Sequence, residues 1–61
     1  MKTYKLKTNF KEHKRGTLFY LVSESEFIGV KEFILRTEDL RSSLSINEKE
    51  LLTYFVFIRN T

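Results

Sequence analysis

Polar and apolar residues alternate along the first segment of the chain, which is the pattern of a strand with one buried face. The predicted buried side comprises Tyr4, Leu6, Thr8 and Phe10, and the opposite side comprises Lys5, Lys7, Asn9 and Lys11. Residues 11–16 contain no apolar side chain and end in Gly16, so the pattern predicts a turn there.

Two further strands follow in the pattern. Residues 17–22 are β-branched, aromatic or aliphatic throughout, which favours a strand covered on both faces. Residues 23–26 are polar and have the length of a hairpin connection. Residues 27–36 then predict a third strand, in which Gly29 indicates a bulge, a bend or a glycine tolerated at an edge.

The next segment predicts a loop followed by a helix. Residues 37–45 are mostly polar, which favours a loop, although a short helical turn there stays open. Asn47 is a favourable N-cap with Glu50 three residues later, and Ile46 and Leu51 flank them as a hydrophobic staple. This arrangement predicts a helix that begins near Glu48.

The last apolar run has two interpretations. Residues 53–58 are rich in β-formers, which favours a final strand. Leu51, Phe55 and Ile58 also lie at helical spacing, so one longer C-terminal helix is the alternative. The predicted fold class is mainly β, a small α+β fold: an antiparallel three-stranded meander, a short helix and a final strand, forming a partly open barrel of the SH3-like kind. The alternative is a four-stranded sheet backed by one C-terminal helix.

Length and composition limit the protein to one domain over residues 1–61 with a small core. Without cysteine, neither disulfides nor a cysteine-based zinc site can stabilise it, and one histidine cannot build a metal centre alone. No apolar stretch approaches the roughly 20 residues needed to cross a bilayer. We therefore expect a cytoplasmic protein with no metal, no cofactor and no membrane contact.

Catalysis has little support in the sequence. His13 is the only histidine, the residue type most often used as a general acid or base, and its neighbours Lys14 and Arg15 suggest a minimal ribonuclease. General acid–base catalysis needs a second titrating group, and no other histidine is present. The serines lack a nucleophile elbow and the two glycines form no phosphate loop. We expect a protein that is not an enzyme.

Charge divides the chain unevenly. Six of the eleven basic residues lie within residues 1–16, against one of the eight acidic residues. Such a basic segment can neutralise phosphates, with Tyr4 and Tyr20 available for stacking on bases. The alternative is that these lysines protect a sheet edge from pairing with other chains. The predicted nucleic-acid-binding residues are Lys5, Lys7, Lys11, Lys14 and Arg15.

The strands also carry more apolar side chains than a small domain can cover. The residues that we predict to contact a protein partner are Phe19, Leu21, Phe55 and Phe57. The leading hypothesis is a non-enzymatic interaction module, an accessory subunit or regulator that docks on a larger protein through an apolar sheet surface or an edge strand. A homodimer would cover the same surface, and a nucleic-acid-binding module is the alternative function.

Overall fold

The computed structural model describes all residues from 1 to 61 as a five-stranded antiparallel sheet with one helix. The elements are β1 (Lys2–Leu6), β2 (Leu18–Phe27), β3 (Val30–Thr37), β4 (Ser43–Asn47), α1 (Glu48–Tyr54) and β5 (Phe55–Asn60). The strands lie in the order β4-β3-β2-β1-β5. The predicted class, a mainly β fold with one short helix, is confirmed, and β4 is a strand that the sequence pattern did not predict.

One face of the sheet packs on a single hydrophobic core, to which all five strands and α1 contribute. The buried apolar residues are Leu6, Phe10, Phe19, Phe33, Leu35, Leu44, Ile46, Leu51 and Phe55. We call this side of the sheet the inner face and the opposite side the outer face. Since side chains alternate along a strand, each buried residue fixes the face of its neighbours.

The first strand is shorter than predicted and lies inside the sheet. β1 pairs with β2 on one side and with β5 on the other. Thr8 lies beyond its end, and Phe10 forms an isolated bridge with His13 instead. Phe10 still reaches the core, where its ring stacks on Tyr54 with the centroids 4.5 Å apart. The loop predicted for residues 11–16 contains turns at both ends, as expected.

The predicted hairpin connection at residues 23–26 is wrong, because those residues belong to β2. The chain reverses at Ile28 and Gly29, whose φ angles are 51° and 76°. Gly29 is therefore a turn residue, not a bulge within a strand. The bulge of this hairpin lies in β2, where Val22 has no partner between the pairs Leu21–Leu35 and Ser23–Ile34. Residues 22–30 are all exposed, and we call them the hairpin arm.

The predicted helix start is confirmed, and so is the final strand. Asn47 and Glu50 form a capping box, and the staple residues Ile46 and Leu51 are both buried. α1 ends after seven residues and the chain continues directly as β5, so the longer C-terminal helix is wrong. No helix of the protein is long and apolar enough to cross a membrane.

Candidate binding surfaces

Two of the four predicted protein-contact residues lie in the core. Phe19 and Phe55 are buried, with their rings in an edge-to-face pair 5.5 Å apart. The expectation that they are exposed is wrong, because both alternate onto the inner face. Leu21 is half-buried against the core, and Phe57 is half-exposed beside Tyr4, with the ring centroids 5.6 Å apart. Only Phe57 of this set offers substantial surface to a partner.

β5 forms an edge of the sheet with apolar side chains exposed along it. It pairs only with β1, so its other side carries unpaired backbone donors and acceptors. Val56, Phe57 and Ile58 are 40%, 50% and 38% exposed. Proteins often protect such an edge with charged side chains or proline, and the centre of β5, from Val56 to Ile58, contains neither.

The opposite edge, β4, has no charged residue or proline either, but its exposed side chains are polar. Its outer face carries Ser43, Ser45 and Asn47, while Leu44 and Ile46 point into the core. The Ser45 hydroxyl donates a hydrogen bond to Glu32 Oε2 at 2.7 Å. The two edges of one sheet therefore differ, one being polar and the other apolar.

The predicted basic residues are all exposed, but they do not protect an edge. Lys5 lies on β1 in the interior of the sheet, so the edge-protection interpretation is wrong. Lys7 Nζ donates to the Leu52 carbonyl at 3.3 Å. Lys11 Nζ lies over the Phe10 ring, 5.4 Å from its centroid. Lys14 and Arg15 belong to the loop before β2. None of the five is in an ion pair, since the single salt bridge joins Lys31 to Glu48 at 3.5 Å.

The outer face brings together two arginines and a tyrosine that the sequence pattern did not connect. The strand register aligns, from β5 to β3, the residues Arg59, Thr3, Tyr20 and Arg36. Lys5 is two residues from Thr3 on the same face, with Val56 and Leu18 as its cross-strand partners. Arg36 and Arg59 are far apart in sequence, so only the register could identify this row.

His13 lies between the core and an open depression of the surface. Its ring packs edge-on against Phe19, 5.1 Å between centroids. A depression of about 780 Å³ beside it is lined by Lys11, Glu12, His13, Ser42, Ser43 and Leu44. No three His, Asp or Glu side chains cluster closely enough to hold a metal ion.

The loop between β3 and β4 contains a carboxylate, Asp39, that accepts two hydrogen bonds. The Thr37 hydroxyl donates to Asp39 Oδ1 at 2.6 Å, and the Arg41 backbone N–H donates to the same oxygen at 3.0 Å. These two hydrogen bonds hold the pKa of Asp39 below its ordinary value. They order the loop, and no second titrating group joins them.

The hairpin arm ends in an exposed apolar tip. Phe27, Ile28 and Val30 are all largely exposed, and Ile28 reaches 87%. Ile28 is also one of three non-glycine residues with positive φ. A β-branched side chain is disfavoured there, so the turn is strained.

Comparison with known proteins adds no further information about these surfaces. The chain matches no protein-family model, no curated protein and no solved structure.

Proposed function

We propose that this protein is a non-enzymatic interaction module that binds another protein chain along β5. The proposal is carried by one observation: an edge strand whose centre has no charged residue or proline and exposes Val56, Phe57 and Ile58 in succession. A free edge of this kind accepts an extended strand from a partner.

Strand addition accounts for both affinity and selectivity. The outward N–H and C=O groups of β5 supply backbone hydrogen bonds to any extended segment. Side chains on the two faces then select the partner: Val56 on the outer face, and Phe57 on the inner face beside Tyr4. Each favourable cross-strand pair contributes about 0.2–1 kcal/mol.

The partner in this proposal is a larger protein, for which the chain serves as an accessory subunit or regulator, or else a second copy. A second copy is geometrically possible because β5 carries one charged residue, Arg59, away from the strand centre. Antiparallel pairing about a two-fold axis at Phe57 places this residue opposite Phe57 of the second copy and keeps the two arginines apart.

Two further expectations belong to the same proposal. The return of β5 to pair with β1, and a core drawn from every strand, support a sheet curled as a partly open SH3-like barrel. That architecture would carry no function by itself. A cytoplasmic setting is the other expectation.

The test compares Val56→Lys with Val30→Lys. Both replace an exposed valine in a strand, but Val56 lies on the β5 edge and Val30 lies on the hairpin arm. Light scattering over a range of concentrations measures self-association. Affinity capture from an extract of the source cells, followed by reconstitution with the purified partner, measures binding to another protein.

We expect the Val56→Lys substitution to weaken the association at least tenfold and Val30→Lys to leave it unchanged. A protein that stays monomeric and binds no reconstituted partner would refute the proposal. Equal effects of the two substitutions would refute the assignment to β5.

A further inference from the structure

The outer face of the sheet carries a second surface, which shares Arg59 with β5. Four residues lie in one register across adjacent strands, in the order Arg59, Thr3, Tyr20 and Arg36. We propose that this row, together with Lys5, binds single-stranded nucleic acid. Tyr20 stacks on an unpaired base, and the three cations contact the backbone phosphates on either side.

Tyr20 differs from the other two tyrosines in having a ring without an aromatic partner. The Tyr4 ring pairs with Phe57 and the Tyr54 ring with Phe10, whereas Tyr20 has no such neighbour. Its strand neighbours Phe19 and Leu21 point into the core, so Tyr20 lies on the outer face. The Tyr20 side chain is half-buried, so part of it stays accessible. An anchored aromatic ring on an open sheet is the feature on which single-strand binders stack bases.

The cations are placed around this ring by the strand spacing. Arg36 is the direct cross-strand neighbour of Tyr20, at a strand separation of about 4.8 Å. Arg59 lies on the other side, two strands away at roughly 10 Å and next to a register irregularity at Ile58, with the fully buried Thr3 between. Arg36, Arg59 and Lys5 are exposed and have no ion-pair partner. A guanidinium group can bind a phosphate through two parallel hydrogen bonds.

No acidic residue forms an ion pair with the row, although Glu38 lies two residues from Arg36 and its backbone N–H donates to the Leu18 carbonyl at 3.2 Å. The outer-face carboxylate of β3 is Glu32, four residues from Arg36 toward the hairpin arm, and it accepts a hydrogen bond from Ser45. An acidic protein surface would satisfy the arginines but would leave the Tyr20 ring without a role. In a nucleotide the base can stack on the Tyr20 ring while the phosphate binds the arginines, so the arrangement favours nucleic acid over an acidic protein.

The experiment measures fluorescence anisotropy of a labelled single-stranded oligonucleotide and its duplex at several salt concentrations. The variants are Arg36→Gln, Arg59→Gln, Tyr20→Leu and Tyr20→Phe. Arg41→Gln is the matched charge control, because Arg41 is an exposed arginine in the β3–β4 loop, off the sheet face. A Lys14→Gln, Arg15→Gln double variant tests the loop before β2. Circular dichroism checks that each variant is folded.

We expect the single strand to bind more tightly than the duplex. Each arginine substitution should reduce the slope of log affinity against log salt by about 0.7. Tyr20→Leu should weaken binding about fivefold or more, since each stacked base contributes about 1–3 kcal/mol. Tyr20→Phe and Arg41→Gln should change little.

Three results would overturn the inference. The first is no binding of the oligonucleotide at low salt. The second is that polyglutamate of the same charge competes as strongly as the unlabelled oligonucleotide. The third is that the Lys14 and Arg15 double variant loses binding while Arg36→Gln has no effect. None of them bears on the β5 proposal, because self-association and protein capture are measured separately and rely on Val56.

Discussion

Asn47 and Glu50 each bond to the other's backbone amide. The Glu50 N–H donates to Asn47 Oδ1 at 2.8 Å, and the Asn47 N–H donates to Glu50 Oε1 at 3.1 Å. Asn47 is also the last residue of β4, and the residue after it begins α1. The capping box therefore forms the junction between a strand and a helix that no loop separates.

Removing this cap should destabilise the protein. We expect the Asn47→Ala substitution to lower the free energy of unfolding by about 1 kcal/mol, because the amide of Glu50 loses its acceptor. Urea denaturation followed by circular dichroism measures the change. Glu50→Gln is the control, since glutamine can still accept from the Asn47 amide. A similar loss in both variants would show that the cap is not the cause.

The strained turn gives a prediction of the opposite sign. Ile28 has a φ of 51°, and a left-handed conformation costs a residue with a Cβ roughly 1–2 kcal/mol. We expect the Ile28→Asn substitution to raise the free energy of unfolding by about 1 kcal/mol, because Asn-Gly is the preferred pair in two-residue hairpin turns. Ile28→Val keeps the β-branch and should bring no gain. Denaturation midpoints of the two variants decide the question, and a stabilised valine variant would contradict it.

The two buried threonines should respond differently to the same substitution. Thr3 Oγ1 is buried and has no hydrogen-bond partner. The Thr37 hydroxyl donates to Asp39 and accepts from the Ser42 amide at 3.2 Å. We expect Thr3→Val to stabilise the fold by about 1 kcal/mol and Thr37→Val to destabilise it by a similar amount. Thermal unfolding would show shifts of opposite sign, and shifts of the same sign would count against this assignment.

The lowered pKa of Asp39 links stability to acid pH. A carboxyl that is more acidic in the folded state stabilises the protein fully above its unfolded pKa, near 3.8. That stabilisation is lost as the pH falls through the lower folded-state pKa. We expect Asp39→Asn to abolish this part of the pH dependence, measured as urea denaturation from neutral pH to acid. If the free energy of unfolding depends on acid pH in the same way in the variant and the parent, the prediction is contradicted.

The sequence predicted those elements whose determinants are local. The helix start depends on residues within one turn of Asn47, and β5 depends on a run of β-formers, so both could be identified. The strand β4 had a usable period-two pattern in Leu44 and Ile46 alternating with serines. The polar residues around Leu44 and Ile46 favour a loop over a strand, because serine is common in turns.

The parts that were missed depend on partners distant in sequence. Isoleucine at a left-handed turn position contradicts local preference, so the reversal at Ile28 was not expected. The interior position of β1 follows from the return of β5, which nothing in residues 1–16 indicates. The same long-range pairing places Arg36 and Arg59 on one row. Burial of Phe19 and Phe55 likewise depends on which face of the completed sheet packs on the core.

The bulge at Val22 has a consequence for residue numbering along β2. Before Val22, the odd-numbered residues of β2 lie on the inner face. After Val22, the even-numbered residues do, because Glu24 pairs with the buried Phe33. Deleting Val22 would leave every cross-strand pair of β2 and β3 intact. Deleting Ile34 would remove a residue that pairs with Ser23 and Ser45 and would shift the register of β3. We expect the first deletion to yield a folded protein and the second to yield an unfolded one, as amide NMR spectra would show. The bulge is thus a site at which this chain can shorten by one residue without changing which side chains meet across the sheet.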